Sequence, residues 1–183
     1  MLISLPEFAD VLEQTGGGMP EFVNPKYADE TKTLFKSPAR LECMMQDYPL
    51  LLNDFSKVSF TQIDRQFSFA ATKNSIEGAK AAVAAGLPPS SAGSNEVDFY
   101  ACNARLLDLG GASFTGEPDT QTFAGLDYTV WPKVVINPSF AIGMTDILSK
   151  VNSGWEISFN STLVLSCLNP VTKLKLDGAA HLT

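Results

Sequence analysis

The spacing of apolar residues along the chain predicts several amphipathic helices. Apolar positions recur at close to a helical period over residues 2–14, and the glycines at 16–18 stop that helix. We expect Ser94 to cap one of the later helices. Three further helices are predicted, over residues 76–85, 95–109 and 140–151.

Alternating apolar and polar residues predict the strands. Residues 58–70 alternate well, which favours a strand with a bulge near Asp64. Residues 22–27 form a short extended piece, whereas 40–48 fits a strand or a helix and ends at Pro49. The remaining strands are predicted over residues 128–136, which include Trp131-Pro132, over 156–168, and over 174–179 with a turn.

The order of these elements indicates the fold class. Strands alternate with helices up to about residue 155, which predicts an α/β fold with a layered sheet. The last 28 residues contain strands and turns but no predicted helix. We therefore expect one domain over residues 1–155 and the start of a second over 156–183.

Composition adds limits on partners. With 45% hydrophobic and 18% charged residues, the 183-residue chain can bury a core. A net charge of -7 excludes the dense basic surface that nucleic acids require. No apolar stretch reaches membrane-spanning length and no signal peptide is evident, so we expect no membrane partner and a cytoplasmic location.

Candidate chemistry is sparse. The three cysteines are far apart and form no CxxC pair, which indicates reduced thiols rather than disulfides or a zinc site. The chain lacks phosphate-loop, dinucleotide-binding and hydrolase motifs. Lys73 lies between a predicted strand and a predicted helix, where open α/β sheets bind ligands and an ammonium can meet a diphosphate. By spacing alone, a solvated loop lysine is the favoured alternative.

Two longer runs carry a family resemblance. Residues 22–27 read FVNPKY and residues 35–49 read FKSPARLECMMQDYP. Together they closely resemble the UDP-sugar pyrophosphorylases of plants and protozoa. The similarity continues through Lys73-Asn74, through residues 130–133 and through residues 174–179, and it covers nearly the whole chain.

The resemblance implies a fold and an activity. The family has a Rossmann-like, GT-A-like nucleotidyltransferase domain followed by a C-terminal β-helix domain. It converts UTP and a sugar 1-phosphate into a UDP-sugar and pyrophosphate, with Mg²⁺ and a broad range of sugars. Lys73 matches the family's phosphate-contacting lysine and is expected to be catalytic. Five residues are expected from the resemblance to bind substrate. Asn24, Lys26 and Tyr27 fall in the segment that lines the sugar side of the family's cleft, and Arg40 and Glu42 lie on the element beside it.

The departures from the family pattern matter as well. Its glycine-rich UTP-binding loop has no counterpart here, so we expect a fragment, produced by truncation or proteolysis, that is inactive alone and can form oligomers. UDP-glucose and UDP-N-acetylhexosamine pyrophosphorylases are alternatives within enzymes. A non-catalytic scaffold domain of the same fold is the alternative from another class. The sequence does not locate magnesium ligands.

Overall fold

The fold is taken from a computed structural model that describes residues 2–54 and 57–183. These residues divide into two compact units, Met1–Gln62 and Ile63–Thr183, each of which is described separately.

The first unit opens with the helix α1, Leu5–Thr15. Pro6 occupies its first turn, where a missing N–H costs nothing. Gly16 ends the helix in a left-handed conformation (φ 63°) and donates its N–H to the Leu12 carbonyl at 2.9 Å. The predicted helix and its glycine stop are confirmed, with the start shifted to Leu5.

A short antiparallel pair follows, formed by the strands β1, Glu21–Val23, and β2, Leu41–Cys43. The chain then enters a 3₁₀ helix over Met45–Leu51. The segment left open as strand or helix is therefore both in succession. The expectation that Pro49 ends it is wrong, because the Pro49 carbonyl accepts the Leu52 N–H at 3.2 Å and the turn continues.

The second unit contains four helices: α2, Arg65–Ser68; α3, Ile76–Ala84; α4, Ala92–Leu109; and α5, Met144–Lys150. The last three confirm the predicted helices with small shifts at the ends. The predicted cap of α4 is corrected, since Ser91 caps the helix and Ser94 occupies the third position of a capping box. The Ser94 hydroxyl accepts the Ser91 N–H at 2.9 Å.

The strand predicted over residues 58–70 is wrong. The described residues from 57 to 75 contain no strand, and the short helix α2 lies in their place. Asp64 caps the N-terminus of that helix, because its carboxylate accepts the Gln66 N–H at 3.0 Å. Phe60 and Ile63 are 93% and 63% exposed, so their alternating pattern has no buried sheet face behind it.

Eight strands complete the second unit, and six of them form two parallel sheets. The sheets have the orders β3-β7-β9 and β6-β8-β10, while β4 and β5 form an antiparallel hairpin. Their bounds are β3, Ser113–Thr115; β4, Asp119–Phe123; β5, Leu126–Val130; β6, Lys133–Ile136; β7, Trp155–Ser158; β8, Thr162–Leu165; β9, Leu174–Leu176; and β10, Ala179–Leu182.

Two predicted strands are each divided in the structure. The segment 128–136 is split between β5 and β6, because the chain leaves the hairpin at Trp131-Pro132 and Pro132 has no N–H for a ladder. The segment 156–168 is split by a turn in which the Ser161 N–H donates to the Ser158 carbonyl at 3.0 Å. No described residue after Lys150 is helical, as predicted.

The connections of the parallel sheets follow a simple rule. After α5, the chain adds β7 to one sheet and β8 to the other, and then repeats this with β9 and β10. The strand β7 also pairs with β3, and β8 pairs with β6. The predicted mixed α/β class is confirmed, whereas the Rossmann-like and β-helix assignments and the boundary at residue 155 stay predictions.

One apolar core joins α4, α5 and the parallel sheets. Its largest fully buried side chains include Trp155 and Phe140, whose ring centroids are 6.3 Å apart. The Trp155 indole N–H donates to the Val171 carbonyl at 2.7 Å. This packing buries Ala104 and Leu107 of α4 and thereby fixes the direction in which the opposite face of the helix points.

Candidate functional site

Lys73 is presented by a loop that backbone hydrogen bonds hold in place. The N–H groups of Lys73 and Asn74 both donate to the Ser90 carbonyl, at 2.8 and 3.0 Å. The Asn74 side-chain amide donates to the Pro89 carbonyl at 2.9 Å. The Lys73 side chain itself is exposed and forms no ion pair with a described residue. An ordered loop thus offers a free ammonium.

The immediate surroundings of Lys73 differ from the prediction. Residues 57–72 contain no strand, so the predicted placement of Lys73 directly after a strand, at the carboxyl edge of a sheet, is wrong. Instead, the neighbouring Thr72 hydroxyl accepts a hydrogen bond from the Asn95 amide of α4 at 2.9 Å. The expected phosphate contact of Lys73 stays a prediction that depends on its ordered loop rather than on a strand end.

Four of the five predicted substrate-binding residues lie together in the first unit. They line a cavity of about 140 Å³ formed where β1 and β2 pair. Val23 is opposite Leu41, and the chains continue beyond that pair into Asn24 and Arg40. The other residues of the lining are Lys26, Ser37, Pro38, Ala39 and Glu42.

Tyr27, the fifth predicted residue, is not among those that line this cavity. It forms an isolated antiparallel bridge with Phe35, and the two rings lie 5.6 Å apart between centroids. The Lys36 N–H donates to the Lys26 carbonyl at 2.7 Å on the same short ladder. Tyr27 therefore fixes the loop that carries Lys26.

The charges of this small cavity suit a polar, anionic guest. Lys26 and Arg40 supply two cations against the single carboxylate of Glu42. All three side chains are exposed, and none forms an ion pair within the described part of the chain. Free cationic donors beside a carboxylate can bind a phosphate and sugar hydroxyls at the same time. The roles of these residues stay predictions.

A larger cavity, of about 510 Å³, lies in the second unit between α2 and α4 and was missed by the sequence analysis. Five residues of α4 share one helical face toward it: Asn95, Asp98, Phe99, Cys102 and Arg105. That mixture of polar residues at helical spacing was the available signal. Burial raises the pKa of the Cys102 thiol, against the lowering effect of the Arg105 charge, which favours its protonated form.

Other kinds of site are not evident in the described residues. Residues 2–54 and 57–183 include no group of three or more His, Cys, Asp or Glu side chains able to hold a metal ion. The three cysteines are free; Cys167 is buried, whereas Cys43 is exposed. Across the same ranges, no helix has the length and apolar character needed to cross a bilayer.

Known proteins resemble this chain closely in sequence. No protein-family model matches it. A UDP-sugar pyrophosphorylase of Arabidopsis thaliana is 41% identical over 180 residues, which cover 98% of this chain and 29% of the relative. UDP-sugar pyrophosphorylases of the two rice subspecies, Oryza sativa indica and japonica, are each 40% identical over 179 residues. Those residues cover 97% of this chain and 29% of each rice protein.

The coverage is as informative as the identity. The chain spans 29% of the length of these curated relatives, and the similarity extends over nearly all of its own residues. Both units contribute to the match, including the loop of Lys73 and the cavity between β1 and β2. By its sequence, this chain belongs to the UDP-sugar pyrophosphorylase family.

Proposed function

We propose that this chain forms part of a uridylyltransferase that makes a UDP-sugar and pyrophosphate from UTP and a sugar 1-phosphate. The observation that carries the proposal is the identity of about 40% to three proteins named UDP-sugar pyrophosphorylase. The exposed ammonium of Lys73, on a loop held by Ser90, supports it. UTP, sugar 1-phosphates and UDP-sugars are accordingly the proposed partners.

The reaction requires positioning rather than a protein nucleophile. An oxygen of the sugar phosphate attacks the α-phosphorus of UTP and forms a new P–O bond, while the P–O bond to the departing pyrophosphate breaks. Catalysis then depends on neutralising the phosphate oxygens and aligning the two reactants. In this scheme Lys73 contacts the phosphate of the sugar and offsets its charge as the bond forms.

We propose that the cavity between β1 and β2, in the first unit, binds the sugar. Lys26 and Arg40 can donate to oxygen atoms, while Glu42 and the Asn24 amide can accept hydrogen bonds from sugar hydroxyls. Its open, polar lining supports a broad range of sugars. Tyr27 contributes by holding the segment in place.

The proposed domain division follows the family. Residues 1–155 are assigned to a Rossmann-like catalytic domain and 156–183 to the opening of a β-helix domain. The alternating addition of strands to two parallel sheets supports the β-helix assignment. We place the reaction in the cytoplasm, where three free cysteines stay reduced.

Magnesium is proposed as an ion that arrives with the phosphates of UTP. The described residues do not supply a cluster that fits it, so no step is assigned to metal ligands of this chain. Mg²⁺ commonly binds through substrate phosphates with few protein ligands.

We further propose that the 183-residue chain is inactive alone, because it spans 29% of the length of its relatives. The test compares the isolated chain with a protein that carries this segment within the full length of the relatives. Pyrophosphate release from UTP and several sugar 1-phosphates is measured for both proteins. Turnover by the isolated chain would refute this part of the proposal.

The role of Lys73 has its own test in the longer protein. Lys73→Ala is expected to lower kcat by about 100-fold or more, the size typical of a lost charge-stabilising donor. The control is Lys80→Ala, because Lys80 is an exposed lysine of the neighbouring helix α3. Equal kcat values for Lys73→Ala and Lys80→Ala would show that Lys73 has no catalytic role. Turnover of glucose, galactose and N-acetylhexosamine 1-phosphates by the longer protein distinguishes a UDP-sugar pyrophosphorylase from a UDP-glucose or UDP-N-acetylhexosamine pyrophosphorylase.

A further inference from the structure

Two arginines line the cavity between α2 and α4. Arg65 begins α2 and lies over the Phe69 ring, with its guanidinium carbon 4.7 Å from the ring centroid. Arg105 comes from α4 and lies 4.8 Å from the centroid of Trp131. Both belong to the lining of the same cavity of about 510 Å³, a volume typical of small-molecule sites.

Apart from its aromatic ring, neither guanidinium has a hydrogen-bonding or ion-pair partner among the described residues. Within residues 2–54 and 57–183, ion pairs join Lys57 to Glu7 and Lys175 to Glu156, and neither involves these arginines. No described side-chain hydrogen bond uses the guanidinium N–H groups of Arg65 or Arg105. Packing against an aromatic face steadies a guanidinium without using the donors in its plane. Two sets of oriented donors are therefore available to an oxyanion.

The carboxylate of the cavity does not neutralise them directly. Asp98 lies on the same face of α4 and experiences the charges of Arg65 and Arg105. It forms no ion pair with either one in the described structure. Partial desolvation dominates and raises the pKa of the Asp98 carboxyl. A carboxylate held apart from the arginines can accept hydrogen bonds from a guest.

The remaining lining supplies an amide and an apolar surface. The Asn95 amide already donates to Thr72, which fixes its carbonyl as an acceptor beside the cavity. Phe99 is half exposed and presents a ring to the same space. Asp98 and Asn95 can accept hydrogen bonds from hydroxyl groups beside the Phe99 ring. This arrangement suits a polyol, whose C–H groups pack against the ring while its hydroxyls donate.

We propose that the cavity between α2 and α4 binds a small phosphorylated polyol, with its phosphate on Arg65 and Arg105 and its hydroxyls on Asp98 and Asn95. A phosphomonoester has a charge near -2 at neutral pH, which matches two guanidinium groups. The proposal goes beyond the proposed function, since the family resemblance supplies none of these four residues. It holds or fails irrespective of uridylyl transfer.

The test is a calorimetric titration of the 183-residue chain with glucose 1-phosphate, inorganic phosphate and glucose. Glucose 1-phosphate is expected to bind more tightly than either of the others, because only it offers both groups. Arg65→Gln and Arg105→Gln are each expected to weaken its binding about tenfold, as for a lost hydrogen bond to a charged group. Lys80→Gln is the matched control and should bind as the unchanged chain does.

Each outcome decides the proposal. Equal binding of inorganic phosphate would overturn the hydroxyl contacts, and equal binding of glucose would overturn the phosphate contact. Unchanged affinity in the Arg65 variant would overturn the site, and Arg65 is exposed, so its replacement leaves the core intact. The cavity between β1 and β2 is proposed to take the same ligand, so Lys26→Gln is titrated beside the Arg65 and Arg105 variants. Loss of affinity in Lys26→Gln alone would overturn the site between α2 and α4, whereas loss in the two arginine variants supports it whether or not uridylyl transfer is confirmed.

Discussion

The side chain of Asn103 donates a hydrogen bond of 2.9 Å to the Val134 carbonyl, which joins the middle of α4 to the strand β6. Both residues are buried, so water cannot replace the bond if it is lost. The contact fixes the rotation of α4 against the parallel sheet. That rotation sets which residues of the helix face the cavity beside α2.

Asn103→Ala should therefore destabilise the chain by about 1–3 kcal/mol, the usual effect of leaving a buried acceptor unsatisfied. Urea unfolding of the variant and the unchanged chain measures the difference. Asn160→Ala is the control, because Asn160 is exposed, and its effect should stay within about 0.5 kcal/mol. Similar losses for the two variants would contradict a structural role for the Asn103 bond.

Two glycines should respond to alanine in opposite directions. At Gly110 an added Cβ would lie 2.9 Å from Ile147 Cγ2 and from Val151 Cβ, so overpacking should destabilise by about 1–3 kcal/mol. At Gly78, in α3, the nearest atom would be 3.5 Å away, and alanine should stabilise by about 0.5–1 kcal/mol. Thermal unfolding of both variants checks the signs. A stable Gly110→Ala variant would show that α4 and α5 can separate.

Asp146 should stabilise the chain only when it is charged. The N–H groups of Ile142 and Gly143 donate to its carboxylate, at 2.8 and 3.2 Å, and lower its pKa below the usual 3.8. A lowered folded pKa contributes stability above pH 3.8 that is lost as the pH falls through the folded value. Asp146→Asn should thus be less stable than the unchanged chain at pH 7, with the gap closing in acid. Unfolding curves across this range provide the measurement.

Asp98 should show the opposite dependence. Desolvation raises its folded pKa above 3.8, against the opposing charges of Arg105 and Arg65, so the native state holds the proton more tightly than the unfolded chain. Stability then falls as the pH rises from 3.8 through the folded value. Asp98→Asn should be the more stable protein at pH 7 and should lose that advantage at acidic pH. The same unfolding series tests it, and an advantage that persisted in acid would point to a cause other than ionisation.

The helices were predictable because their signals are local. A serine cap, an alanine-rich run and a glycine stop all act within one or two turns, which is why α1, α3 and α4 match the sequence pattern. The strand predicted around Asp64 is wrong, because alternating apolar and polar residues indicate only which side of a strand would be buried. They do not show that a neighbouring strand is present to pair with it. No strand in the described part of the chain pairs with residues 58–70, and the Asp64 cap favours α2 instead.

The hairpin of β4 and β5 was missed for a related reason. Its turn residues Ala124 and Gly125 both have positive φ, at 52° and 77°, and only the glycine gives a hint in the sequence. The strand β4 is exposed at every position, so it lacks the apolar alternation that would reveal it. The strand β4 is stabilised by its antiparallel pairing with β5, a contact that the local sequence pattern does not reveal.

The candidate site shows the same division. The resemblance supplied Asn24, Lys26, Arg40 and Glu42, and the structure brings these four together at one cavity. The arginines of the second cavity come from two helices, and the stacking of Arg105 on Trp131 depends on tertiary packing. Such a relationship has no signature in the spacing of a single segment.

The alternate placement of strands in the two parallel sheets makes this region sensitive to changes in length. Trp155 of β7 lies beside Leu174 of β9 in one sheet, and Thr162 of β8 lies beside Ala179 of β10 in the other. Each passage of the chain, meaning one strand in the first sheet followed by one strand in the second, therefore extends both sheets. A single-residue deletion within that passage would turn inward-facing side chains outward across two sheets. Duplication of an entire passage would preserve both alignments, so natural or engineered variation should occur here in whole increments.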